Sequence, residues 1–298
     1  MAPRMLRAFF VVLAAATVAA SPLKAPQTQS IDVSVTDKAG APIPGLAPGD
    51  FILEVDGKRV QTAAVASAVE PIQVAVVFSG KQPEGIREFA DVVFKANAAS
   101  VVAVTVSGDP SLAAFSSDVQ TIAAQLAGRT SLVGPTLGVE AASRSFSAFA
   151  SPRPFIVAYL NEEQDDGPSW GTPASQERSD EEAARVRELH VQVWTLVTPH
   201  LGSNDAPTRS DGAIRLPPET QAHHEYSEMS ASSGGMMLLT GTSSAETTAS
   251  FVRFAKAITS EYRVSFVAPG GAGPSSKLRV SVKRSGAHVA APDHWSMP

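Results

Sequence analysis

Pro71-Ile72-Gln73-Val74-Ala75-Val76-Val77-Phe78-Ser79-Gly80-Lys81 is the stretch on which the reading of this chain turns. From Ile72 to Phe78 it is almost unbroken apolar, and small polar residues return only at Ser79. A strand with one wet face alternates polar and apolar side chains, whereas a strand covered on both faces does not. The stretch therefore predicts a central strand with helices on either side. Downstream the same theme repeats. Residues 85–98 carry Ile86, Phe89, Val92, Val93 and Ala96 at helical spacing, and 101–106 is a second buried strand. A short strand is expected over 112–115, then helices over 119–127 and 135–149, and a buried strand over 154–160. A helix over 180–189, a strand over 191–197, a weak helix over 222–232, a short strand over 236–240, a helix over 245–258 and a strand over 262–267 complete the series. Strands alternating with helices from 71 to 268 predict an α/β unit with a doubly wound, mostly parallel sheet.

Upstream of Pro71 the period changes. Ile31, Val33 and Val35 alternate with Asp32, Ser34 and Thr36, the mark of a half-buried strand. Residues 51–55 read as a second strand, Asp56-Gly57 as a hairpin turn, and 59–69 as a third strand. Residues 30–70 thus form a small N-terminal β module. Near the other end Leu278, Val280 and Val282 alternate with Arg279, Ser281 and Lys283. That strand, within a closing segment 269–298, is expected to return to the β module. The first residues have the composition of an export signal: Arg4 and Arg7, an apolar run from Phe9 to Ala19, then Val18-Ala19-Ala20 at a cleavage position. The expectation is a signal peptide over 1–20, a linker over 21–29, and an exported product, periplasmic or secreted, with no membrane span after cleavage.

The chain has 298 residues, 44% of them hydrophobic but only 6% aromatic, so aliphatic side chains must fill the core. It has no cysteine, which excludes disulfides, thiol catalysis and cysteine-type zinc sites. The net charge of −5 and the lack of clustered Lys and Arg argue against a nucleic-acid surface. The densest charge run, Glu177 to Arg187, mixes both signs and reads as a solvated helix face.

Catalytic patterns are weak. A serine hydrolase on an α/β sheet needs a Gly-x-Ser-x-Gly elbow, and the Ser-Gly pairs at 79–80, 107–108, 233–234 and 285–286 lack the leading glycine. His223 and His224 are adjacent, and adjacent helical side chains point apart, which suits a metal poorly. Asp165 and Asp166 could support acid–base chemistry but stand before Gly167-Pro168, where turn residues are common. Trp170, an aromatic in a polar loop, is a candidate binding anchor.

The order of these features resembles the von Willebrand factor A-related proteins of the acidobacterial type. The likeness rests on IDVSVTDKAGAPIPGLAPGDFILEVDGKRVQ (31–61), PIQVAVVFSG (71–80), TSLVGPTLGVEAA (130–142), FIVAYLNEEQDDG (155–167), MSASSGGMMLLTG (229–241) and EYRVSFVAPGG (261–271) followed by KLRVSVKRSGAHVAAPDHW (277–295). It implies a Rossmann-like A domain whose first strand ends in an Asp-x-Ser-x-Ser loop. With a Thr and an Asp from later loops, that loop holds Mg²⁺, which takes a carboxylate from a partner. Here Ser79 matches the first Ser of that motif, Val77 stands at the Asp position and Lys81 at the second Ser. Thr136 matches the Thr, and Asp165 or Asp166 the later Asp. Losing a carboxylate and gaining an ammonium disfavours a cation that needs charged oxygen ligands. One reading of Lys81 has it replace the ion and pair with Asp165 or Asp166; the plainer one leaves it in solvent. The expectation is an exported, non-catalytic protein-binding or scaffold module of the cell envelope, with no cofactor and a degenerate metal site. Its contact face would carry Ser79, Lys81, Thr136, Asp165, Asp166 and Trp170. An exported hydrolase with an unrecognised site is the alternative.

Overall fold

The computed structural model describes residues 28–107, 109, 113–131, 136–147, 153–161, 173–198, 221–269 and 276–295. Four strands come first: β1 (Thr28–Thr36), β2 (Phe51–Val55), β3 (Lys58–Val60) and β4 (Thr62–Ser67). The β2–β3 turn puts Asp56 at φ 50° and Gly57 at φ 73°, the left-handed pair that a two-residue hairpin demands. The segment 59–69, expected as one strand, is two. Val60 faces Leu53 of β2, but after Gln61 the chain changes sheets, and β4 joins a different neighbour.

The central region alternates strands and helices as its periodicity predicts, except that the helix expected over 180–189 already begins at Pro173. In chain order it contains β5 (Gln73–Phe78), β6 (Gly80–Lys81), α1 (Ile86–Ala96), β7 (Val101–Val106), α2 (Val119–Leu126), β8 (Thr130–Ser131), α3 (Thr136–Ser147), β9 (Pro154–Asn161), α4 (Pro173–Glu188), β10 (Gln192–Thr198), α5 (Gln221–Ser233), β11 (Met237–Leu239) and α6 (Ser244–Thr259). Five of the strands form a parallel sheet in the order β11-β10-β9-β5-β7, which reverses direction between β9 and β5. This is a Rossmann-like α/β arrangement with a switch point at β5. The short strand expected near 112–115 is absent over 113–115, where a single bridge joins Ser116 to Val102; Leu112 lies outside the described residues.

Every residue of β5 is buried, for the reason its sequence suggests. Val74, Val76 and Phe78 pack with Ile86, Phe89 and Val93 of α1, Ile122 and Leu126 of α2, and Phe251, Phe254 and Ile258 of α6. Ala75 and Val77 face the other way, onto Val139, Ala142 and Phe146 of α3, Val186 of α4 and Met229 of α5. Helix α6 starts with a capping box, in which Ser243 Oγ accepts from the Glu246 N–H and Glu246 Oε2 accepts from the Ser243 N–H. Gly85 at the start of α1 sits at φ 101°, and a Cβ there would lie 2.6 Å from Thr248 Cα. Glycine is what lets α1 and α6 approach so closely.

The chain then returns to its beginning through β12 (Tyr262–Val267), β13 (Ser276–Val282), β14 (His288–Ala290) and β15 (His294–Trp295). Strand β12 stands apart from the parallel sheet. It runs antiparallel between β1 and β4, with Asp32 facing Arg263 and Val65 facing Val264. Strand β13 pairs with β2, Val280 facing Leu53. Two four-stranded sheets result, β14-β1-β12-β4 and β15-β13-β2-β3. Their facing side chains, among them Val33, Val35, Leu53, Val55, Val264, Phe266 and Leu278, make one core. The two ends of the chain thus build a β-sandwich, and the α/β unit is inserted between β4 and β12. Among the described residues no helix is long and apolar enough to cross a membrane.

Candidate functional site

In an open parallel sheet the C-terminal strand ends form a crest where backbone groups and loop side chains gather. Strand β5 lies next to the switch point, so its last residues sit at the middle of that crest. Val77 is fully buried, and a Cβ on Gly138 of α3 would come within 2.2 Å of its Cγ1. The valine fills the space under the start of α3 with hydrocarbon. Ser79, the residue after β5, is 1% exposed, and its Oγ has no hydrogen-bond partner. Its N–H donates to the Tyr159 carbonyl at 3.1 Å, which joins it to β9. Gly80 and Lys81 form β6, antiparallel to Thr130 and Ser131 of β8, so the loop after β5 is closed down as a two-residue ribbon. Lys81 is exposed there.

The remaining crest is hydroxyl-rich. Tyr159 Oη and Thr198 Oγ1 lie 3.0 Å apart, both buried. The Ser107 N–H donates to the Phe78 carbonyl at 2.9 Å, and Ser250 Oγ donates to Thr240 Oγ1 at 3.0 Å. Asp109 and Arg129 form a half-exposed ion pair at 3.4 Å. Of the residues expected to form the contact face, Ser79 and Lys81 lie at the crest. Thr136 opens α3, two positions before the glycine that meets Val77, and its side chain lies outside the described residues, as do Asp165, Asp166 and Trp170. Among the described residues no three His, Cys, Asp or Glu side chains gather as a metal would require.

A second polar constellation lies at the opposite end of the sheet, where the chain crosses between sandwich and α/β unit. Arg153, immediately before β9, is almost fully buried. Its guanidinium donates to the carbonyls of Ala68 (3.0 Å), Glu70 (3.2 Å) and Ile258 (3.0 Å) and to Glu261 Oε2 (2.7 Å). Asp32 Oδ2 of β1 is 3.3 Å from Arg153 Nε, and the same carboxylate takes a bidentate fork from Arg263, both contacts at 2.9 Å. Arg263 also pairs with Glu70. Burial pushes the Glu261 carboxyl up to about 7; Arg153 pulls it back and Asp32 adds to the rise. Glu70 is held below the usual carboxylate range by its own backbone N–H and by the neighbouring guanidiniums.

Sequence reading missed this cluster because its members are scattered from 32 to 263. Two signals were present: Arg153 directly abuts a fully apolar strand, and Glu261 stands where helix α6 gives way to β12. A smaller buried contact was equally hidden. Glu182 of α4 accepts from Ser143 Oγ of α3 at 2.5 Å, and burial raises its carboxyl.

Compared with known proteins, no family model matches the chain, and no curated protein does. Among solved structures, the human COPII-coat protein Sec24c matches 76% of this chain and 44% of its own, at 8% identity and a TM-score of 0.37. Three N-terminal domains of the type V pili tip protein Mfa5 from Porphyromonas gingivalis match 47% of this chain and 27% of their own, at 11% identity and a TM-score of 0.27. The chain spans less than half the length of either. At those scores neither match bears on function.

Proposed function

We propose that the chain is a non-catalytic, exported protein-binding module, related to von Willebrand factor A domains but without their metal chemistry, which engages a protein partner through the crest around Ser79 and Lys81. One observation carries the reading: Val77 is fully buried against Gly138 at the position where such domains place their metal-binding aspartate. A hydrocarbon packed under α3 has no lone pair to give, and the space is filled. Lys81 stands where a second hydroxyl ligand would, and its ammonium opposes a divalent cation. The residues present therefore do not fit Mg²⁺, and recognition falls to the crest side chains themselves. Asp165, Asp166 and Trp170 belong to this reading as parts of the segment between β9 and α4.

Two measurements test it. Calorimetry with Mg²⁺ and Mn²⁺ should give no binding isotherm, and micromolar affinity would overturn the lost-metal reading. Capture from envelope extract should recover a protein that is lost with Lys81→Glu and kept with Lys95→Glu, a charge reversal on the exposed face of α1. Equal recovery with both variants would move the contact away from the crest.

A further inference from the structure

The five charges at the crossing between sandwich and α/β unit do not balance. Asp32, Glu70 and Glu261 face Arg153 and Arg263, three carboxylates against two guanidiniums. The surplus falls in the driest place: the Glu261 side chain is completely buried, and its Oε1 accepts no hydrogen bond. An ionised carboxylate with an empty, buried oxygen is costly, whereas a protonated one needs no further counter-charge. Every element packed around it contributes to the cluster. Strand β1 supplies Asp32, the β4–β5 crossing Glu70, the residue before β9 Arg153, β12 Arg263 and β10 Gln192, whose side chain hydrogen-bonds the Glu261 carboxylate and pulls it back down, while α6 offers only the Ile258 carbonyl to Arg153.

These groups sit on both connections between the two units. The outward crossing, 68–72, is tied by Arg153 through the carbonyls of Ala68 and Glu70. The return crossing, 260–261, is tied through Glu261 itself. The Ala68 N–H donates to the Glu261 carbonyl at 2.9 Å, and the Gln73 N–H donates to the Arg153 carbonyl at 3.1 Å, so both crossings are stitched to the same two residues.

We propose that this junction is a proton-operated lock: Glu261 binds one proton among Arg153, Asp32, Glu70 and Arg263, and the protonated form clamps the sandwich to the α/β unit more firmly than the ionised form. The sign follows from linkage. A carboxyl whose value rises from 4.5 to about 7 on folding stabilises the folded state at low pH. That stabilisation is lost as pH climbs through the same window and is gone above it. Opening the junction releases the proton, so openings become more frequent as pH rises.

The test compares the full chain with Glu261→Gln, which keeps the acceptor for Arg153 and carries no charge. The variant should match the wild type below about pH 4.5 and melt progressively higher than it as pH rises through about 7, with the gap levelling off above that. Amide exchange, corrected for its intrinsic pH dependence, should accelerate at Ala68 and Gln73 of the wild type over that range and not in the variant. Val76 in the sheet centre should behave alike in both. Melting curves that shift in parallel with pH, or junction amides that ignore it, overturn the proposal. If Glu261→Gln does not fold, carbon-13 titration of glutamate carboxyls decides, in a Glu182→Gln background because Glu182 is also raised. One glutamate with a midpoint near 7 supports the lock, and glutamates all titrating at ordinary values refute it.

Discussion

At the N-terminal end of the parallel sheet five charged side chains lie packed beneath the sandwich, while at the C-terminal end the described polar groups are mostly hydroxyls, with the half-exposed Asp109–Arg129 pair and the exposed Lys81 as charges. Both ends use β5 and β9. The difference comes from what each end must cover. The lower end meets a second unit, so backbone carbonyls freed at the crossings are buried and need donors, and a single arginine with several N–H groups answers three of them and the Glu261 carboxylate at once. Its charge in turn calls for carboxylates nearby. At the crest the described polar groups are mostly hydroxyls paired with one another, beside the half-exposed Asp109–Arg129 pair. A buried charge there would need a counter-ion, and Val77 removes that need.

The contrast is most easily broken at Arg153. Arg153→Leu strands Glu261 without a counter-charge and leaves three carbonyls without a donor, and should cost about 3–5 kcal/mol in urea unfolding at neutral pH. The loss should shrink at lower pH, where Glu261 takes up a proton. A cost below about 1 kcal/mol would mean that the cluster is not a tie between the units.

At the crest, Gly138→Ala should cost about 1–3 kcal/mol by forcing a methyl against Val77. Most of that should return in Val77→Ala/Gly138→Ala, so a double-mutant cycle reports the contact directly. Additive effects would separate α3 from β5 and weaken the proposed lost-metal reading. Away from both ends, Ser243→Ala removes the α6 cap and should cost about 1 kcal/mol, with the Glu261 pH profile unchanged. Lys81→Ala should change stability by less than about 0.5 kcal/mol, since the side chain is exposed, yet abolish partner capture. A large destabilisation would recast Lys81 as a structural residue.

How much of this was legible beforehand differs between the ends. Val77, Ser79 and Lys81 are near neighbours in the sequence, so their closeness at the crest was legible, although Gly80 at φ 73° breaks the alternation between β5 and β6. How they differ from the Asp-x-Ser-x-Ser loop of the family the sequence resembles could be read residue by residue. The junction could not. Asp32 and Arg263 are partners only because β1 and β12 pair antiparallel in one register, and Arg153 reaches them from a third element. The break of 59–69 into β3 and β4 was equally hidden, because both halves have the composition of one exposed strand and only their neighbours tell them apart.

Apolar periodicity specified most of the segments that become strands and helices, because burying an apolar face is a local requirement that each segment meets wherever it packs. It also marked β5 as a central strand covered on both sides. Which strands pair, that β12 leaves the α/β unit for the sandwich, and that three carboxylates and two guanidiniums meet beneath the sheet were decided by tertiary structure alone. Strand pairing and buried-charge compensation depend on distances between residues far apart in the chain, and nothing local encodes those distances.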